Sequence, residues 1–151
     1  MHFQHSPEIW RDFPQLVAGV MLVDRISADA SVAVPVAELG AVAAGRLATA
    51  SEGEFPEVRA WRRAFSRMGL RPTQYRCAAE ALQRRYRKEG SLPSLHPLID
   101  LCNAASLAFA IPVAVFDVAR ISGNLEVRHS GDRSAYPIRA ALRPRLRMME
   151  S

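Results

Sequence analysis

At 151 residues the chain has the length of one domain around one core, and its 49% hydrophobic and 23% charged content excludes a disordered or fibrous protein as a starting point. The formal net charge is +5, yet residues 1–130 hold 15 basic against 13 acidic side chains, a net of +2, while residues 131–151 hold 5 against 2, a net of +3. More than half of the excess sits at the chain end, and 19 of the 20 cations are arginine, a bias that GC-rich coding explains without a polyanionic partner.

The first stretch, MHFQHSPEIWRDF, has no apolar signal core, and residues 1–14 are expected to be an N-terminal extension. No window reaches the roughly 18 consecutive apolar residues of a membrane helix, so the expectation is a cytoplasmic protein with no membrane partner. The domain proper is expected over residues 15–130. It opens with Leu16 to Ile26, LVAGVMLVDRI, an apolar, valine-rich run that predicts a buried strand seeding the sheet.

VPVAELGAVAAGRLATA has alanine and leucine at helical spacing, with Pro35 where a first turn tolerates it. FPEVRAWRRAFSRMG places Val58, Trp61, Phe65 and Met68 on one face and ends at Gly69, which predicts an amphipathic helix. YRCAAEALQRRYRKEG repeats the pattern through Ala78, Ala81, Leu82 and Tyr86, with Gly90 closing it. The next segment, PLIDLCNAASLAFA (97–110), is apolar on nearly every side and is expected to be deeply buried. Its exceptions, Asp100, Asn103 and Ser106, fall within an arc of about 120° and form a narrow polar stripe.

Past Pro112, IPVAVFDV predicts a short strand, and ISGNLEVRH a Gly-Asn turn into a second strand bearing Leu125 and Val127. The two are expected to form a hairpin. Helices between strands, with no Gly-x-Gly-x-x-Gly or Walker pattern, indicate an α+β domain: several helices packed on a mixed or antiparallel sheet. Residues 131–151, with Pro144 among the arginines, are expected to be a basic, divergent and disordered tail.

Cys77 and Cys102 are too few and too far apart for a disulfide framework or a Cys-x-x-Cys metal site, and His2, His5, His96 and His129 have no ligand spacing with either. No metal and no cofactor are expected.

The run LPSLHPLIDLCNAASLAFAIPVAVFDVARISGNLEVR resembles the B3/B4 domain family, best known from the beta subunit of bacterial phenylalanyl-tRNA synthetase and found also as free-standing proteins. The shared landmarks are Asp-x-x-Asn (Asp100, Asn103), Pro112, Phe116-Asp117, Gly123 and Arg128. The upstream WRRAFSRMGLRPTQYRCAAEALQRRYRKEGSLP is similar to the free-standing branch. The resemblance spans about residues 15–130.

In the synthetase this module is the editing domain, which hydrolyses the ester of a wrongly attached amino acid. A hydrophobic pocket rejects a hydroxylated isostere only weakly, and a second hydrolytic site recovers accuracy. The resemblance places the family's helical Thr-Asn pair on Cys102 and Asn103, and its histidine after the proline on Ala114. It also implies more sheet and an acidic pocket residue beyond the last recognisable strand, so the domain is expected to be incomplete, truncated or frame-altered at its C-terminal part.

The resemblance therefore implies a free-standing tRNA-related protein that hydrolyses mischarged aminoacyl-tRNA in trans, with tRNA and not DNA as partner. Asn103 would orient substrate or water, and Asp100, Cys102, Ser106 and Ala114 would line the substrate pocket. Arg84, Arg85, Arg87 and Lys88 would contact RNA. An active protein would be an ester hydrolase and not a ligase. The alternatives are a non-catalytic module binding tRNA or a small molecule, or an inactive remnant. Each residue also has an architectural reading: Asp100 as a cap, Cys102 as a core side chain, and the arginines as a solvated helix end.

Overall fold

The computed structural model describes residues 2–129, so the tail expected over 131–151 lies outside the described residues. In chain order the elements are β1 (Phe3–His5), α1 (Pro7–Asp12), α2 (Ala33–Thr49), a 3-10 turn (Glu52–Glu54), α3 (Pro56–Arg67), α4 (Ala78–Glu89), α5 (Pro97–Phe109), a second 3-10 turn (Val118–Arg120) and β2 (Leu125–Val127). This is an α+β chain. It divides into two units, one made of residues 19–117 and the other of the two chain ends, up to Ala18 and from Val118.

In the 19–117 unit, proline and glycine set the helix limits. Pro56 and Pro97 open α3 and α5 at positions whose N–H would have no helical acceptor. Gly90 ends α4 at φ 75°, a left-handed conformation that glycine adopts without a Cβ clash, and its N–H reaches the Tyr86 carbonyl at 2.8 Å. α2 packs mainly on α5, and α4 packs on α5 as well. Alanines make the close approach possible: Ala43 on α2 and Ala104 and Ala108 on α5 are all buried.

A small cluster of Phe55, Val58 and Ala110, flanked by Leu47 and Ala50, closes the end of this unit. Ala110 follows α5 at φ 58° and ψ 31°. A β-carbon is disfavoured there, but its methyl group is fully buried against Phe55 and Val58.

The buried face of α4 differs from the expected one. Ala78 and Ala81 are exposed, Leu82 and Tyr86 are half-buried, and the enclosed residues are Ala79, Glu80 and Gln83. Two polar side chains stand where an apolar stripe was expected because each finds a partner inside. On α3, Val58 is fully buried, Trp61 and Phe65 are half-buried with ring centroids 5.9 Å apart, and Met68 is exposed. α5 is buried over Ala104 to Ala108 apart from a half-buried Ala105, while its first two turns are half-buried.

Two of the strands expected from the sequence, over Leu16–Ile26 and from Ile111, do not form. Residues 16–26 have no regular structure, and Val17, Met21 and Leu22 are 93%, 84% and 79% exposed. Residues 111–117 are likewise irregular and mostly exposed. β-Branched residues favour a pleated conformation only when a ladder partner is present, and among the described residues none lies beside either segment.

The unit formed by the chain ends holds the only sheet among the described residues. β2 forms at Leu125–Val127, as its sequence indicates, but it pairs in parallel with β1, Phe3 opposite Leu125 and His5 opposite Val127. The expected hairpin is thus replaced by a parallel two-stranded sheet with the N-terminal segment. Beyond the ladder, Gln4 Nε2 donates to Glu126 Oε1 at 3.0 Å, and His129 Nε2 meets Asp12 Oδ2 at 2.9 Å.

Candidate functional site

Asp100 stands in the first turn of α5 and its carboxylate turns back onto the loop that leads into the helix. It accepts from the Ser94 hydroxyl at 2.6 Å, the Leu95 N–H at 2.8 Å and the His96 N–H at 3.4 Å. Partial burial works to raise this carboxyl, but the three hydrogen bonds and the neighbouring His96 outweigh it and hold Asp100 below the usual carboxylate range. His96 is the N-cap, with Nδ1 accepting the Leu98 N–H at 3.2 Å. Both groups are thus committed to fixing the start of α5.

Asn103 lies nearly one turn further along, half-buried, and its side chain has no hydrogen bond among the described residues. Ser106, another three residues on, is 1% exposed, and its Oγ has no hydrogen-bond partner among the described residues. Cys102 is half-buried, and burial pushes its thiol up, as it does the more enclosed Cys77. A raised thiol is a poor nucleophile at neutral pH. Ala114 is exposed on the irregular segment after α5. The helix thus brings Asp100, Asn103 and Ser106 to one side, with Asn103 as the uncommitted amide.

The far end of α5 is fastened by side chains with no motif to announce them. Gln83, fully buried on α4, donates Nε2 to the Leu107 carbonyl at 3.1 Å, while its Oε1 is buried with no hydrogen-bond partner among the described residues. Arg46 on α2 donates Nη1 to the Ala108 carbonyl at 2.9 Å and Nη2 to both Glu57 oxygens at 2.9 Å. Its guanidinium carbon lies 4.4 Å from the centre of the Phe55 ring. A helix ends with carbonyls that lack backbone donors, and α2 and α4 supply them here.

The basic row of α4 is not uniform. Arg85 pairs with Glu89 at the surface at 2.8 Å. Arg84 and Arg87 instead reach across to Glu52, which is 2% exposed. Lys88 is exposed. Glu80, also on α4 and 0% exposed, takes Arg62 Nη2 at 2.7 Å and Arg76 Nε at 3.5 Å. Glu52, in the Ser-Glu-Gly-Glu stretch, and Glu80, between Arg76 and Arg84, carried no signal of burial in the sequence, where both look like surface residues.

The chain-end unit has a cleft of about 270 Å³ lined by Ser6, Pro7, Glu8, Glu126, Arg128 and His129. Among the described residues, no group of three or more His, Cys, Asp or Glu is placed to hold a metal ion, and no helix is long and apolar enough to cross a membrane.

A model of the family described as the B3/4 domain matches residues 60–136, just over half of the chain, from within α3 to beyond β2. No curated protein and no solved structure matches the chain.

Proposed function

We propose, because the chain belongs to the B3/4 domain family, that it recognises the aminoacyl end of a tRNA and hydrolyses the ester of a wrongly attached amino acid. The observation that carries this reading is Asn103: a half-buried amide in the middle of α5, with no hydrogen bond among the described residues, beside an Asp100 already engaged with the preceding loop. An amide can donate to a carbonyl oxygen or accept from a water or an ammonium group. Asn103 orients the attacking water or the substrate amine, Ser106 supports it from the next turn, and Asp100 keeps the helix start in place. Water adds to the ester carbonyl, the acyl–oxygen bond breaks, and the ribose hydroxyl leaves with a proton from the water.

A second reading is a tRNA-binding module without turnover. It is favoured by the commitments around Asn103: Asp100 and His96 are engaged in the backbone at the start of α5, and burial raises the Cys102 thiol.

Deacylation across a panel of mischarged tRNAs separates the two. Hydrolysis that drops by about a hundredfold in Asn103→Ala, the size of effect seen when one orienting group is removed, with the circular dichroism unchanged, supports the enzyme. Hydrolysis undiminished in that variant removes Asn103 from the mechanism. Salt-sensitive tRNA binding with no turnover establishes the module.

A further inference from the structure

Two buried carboxylates carry four guanidinium groups in the 19–117 unit. Glu52 Oε1 accepts from Arg87 Nη2 at 3.2 Å and from Arg84 Nη1 at 3.4 Å, while Oε2 lies 3.0 Å from Arg87 Nη1 as an ion pair without hydrogen-bond geometry among the described residues. Glu80 receives Arg62 Nη2 at 2.7 Å and Arg76 Nε at 3.5 Å. The two clusters adjoin at Gly53, where a β-carbon would stand 3.0 Å from Arg62 Nη2. Four positive charges over two negative ones leave a local excess of +2.

One arginine per glutamate would neutralise each buried charge; the second in each cluster exceeds what burial needs. The glutamate side chains are 0% and 3% exposed, whereas those of Arg62, Arg76, Arg84 and Arg87 are 38%, 35%, 48% and 49% exposed. A guanidinium has more N–H donors than one carboxylate uses, so outward N–H groups remain available. Their carboxylate partners hold the forks in place, which lowers the ordering cost of binding an anion.

We propose that Arg62, Arg76, Arg84 and Arg87, held from below by Glu52 and Glu80, form a pre-oriented receptor for the phosphodiester backbone of RNA. The proposal rests on the tRNA reading above and divides the α4 row. At about 100° per residue, Arg84 and Arg87 lie about 60° apart on α4, while Arg85 is turned about 100° from Arg84 and about 160° from Arg87 and is engaged by Glu89. Glu52 and Glu80 are positioning residues. A planar fork matches a phosphate with two parallel hydrogen bonds, which a lysine cannot do.

The test is binding of deacylated tRNA to the full chain, comparing wild type, the charge-preserving double variant R84K/R87K, and Arg63→Ala as an exposed cation on α3 outside both clusters. R84K/R87K weakens binding by about tenfold although no charge is lost, and Arg63→Ala changes it by less than about twofold. Binding of tRNA that is equal in wild type and R84K/R87K overturns the receptor and leaves the tRNA reading standing. Failure of wild type to bind tRNA, while inorganic polyphosphate binds and is lost in R84K/R87K, overturns RNA as the occupant and the tRNA reading with it. Should R84K/R87K not fold, the single substitution Arg84→Gln, which leaves Arg87 on Glu52, reports on the same receptor. A slope of log K against log salt shallower by about 0.7 to 0.9 supports the receptor, and an unchanged slope overturns it.

Discussion

Gln83 on α4 donates its side-chain amide to the backbone carbonyl of Leu107 at 3.1 Å, so a fully buried polar group from one helix closes the last turn of another. Replacing it with an apolar residue of similar size would leave that carbonyl enclosed without a donor. Gln83→Leu is therefore expected to lower the unfolding free energy by about 1 to 3 kcal/mol, read as a fall in the urea midpoint at constant slope. A midpoint equal to that of wild type would mean that α5 does not depend on this contact.

Arg46 joins three parts of the 19–117 unit: the Ala108 carbonyl of α5, the Glu57 carboxylate of α3 and the Phe55 ring. Arg46→Ala removes an ion pair in which Nη2 bridges both Glu57 oxygens, a helix-end donor and a cation–π contact together, and a loss of about 2 to 4 kcal/mol is expected. Arg46→Lys retains the charge but cannot reach both partners in one plane, so it recovers less than half of that loss. Full recovery by lysine in thermal unfolding would show that charge alone matters at this position.

The depressed Asp100 carboxyl makes a pH-dependent contribution to stability. Its hydrogen bonds favour the ionised form in the folded chain, so the folded state binds this proton less readily than the unfolded one. The contribution is complete above the ordinary carboxylate value of about 3.9 and disappears as pH falls through the lower folded value. Thermal unfolding of wild type and Asp100→Ala should differ most near neutral pH and converge in acid. Melting curves separated by the same interval throughout would refute this assignment.

Two glycines predict opposite signs. Gly45 lies within α2 with no atom within 4 Å of the position a β-carbon would take, so Gly45→Ala should stabilise by about 0.5 to 1 kcal/mol through backbone entropy alone. At Gly53 the same methyl group would press on the Arg62 guanidinium, itself held by Glu80 at 2.7 Å. Gly53→Ala is expected to destabilise by about 1 kcal/mol, and a stabilising result would show that Arg62 moves aside freely.

Helices α2 to α5 were legible because their signals are local, whereas α1 falls in the segment expected only as an N-terminal extension. Pro35, Pro56 and Pro97 mark the starts, Gly69 and Gly90 the stops, and the spacing of Val58, Trp61 and Phe65 needs only neighbouring residues to be interpreted. The buried face of α4 was illegible because Glu80 and Gln83 look like surface residues until Arg62 and the Leu107 carbonyl are beside them. Strands failed for a related reason. Residues 16–26 and 111–118 have the composition of strands without a ladder partner, whereas Phe3–His5 has little strand character in its sequence and pairs with residues more than a hundred positions away. Of the residues expected at the site, Asp100 is bonded to the loop before α5, and the Asn103 side chain has no hydrogen bond among the described residues.

The pairing of β1 with β2 joins segments about 120 residues apart in the sequence. His2 and Leu125 are joined at 2.9 Å, and drawing together ends separated by about 120 residues costs on the order of 4 kcal/mol in loop entropy before any constant term, set against a ladder only three residues long. Such a clasp is expected to form after the local contacts of the helices and to open first under load. A pulling experiment from the two ends would meet it as the weakest link, and a covalent bridge there would slow unravelling without touching α5.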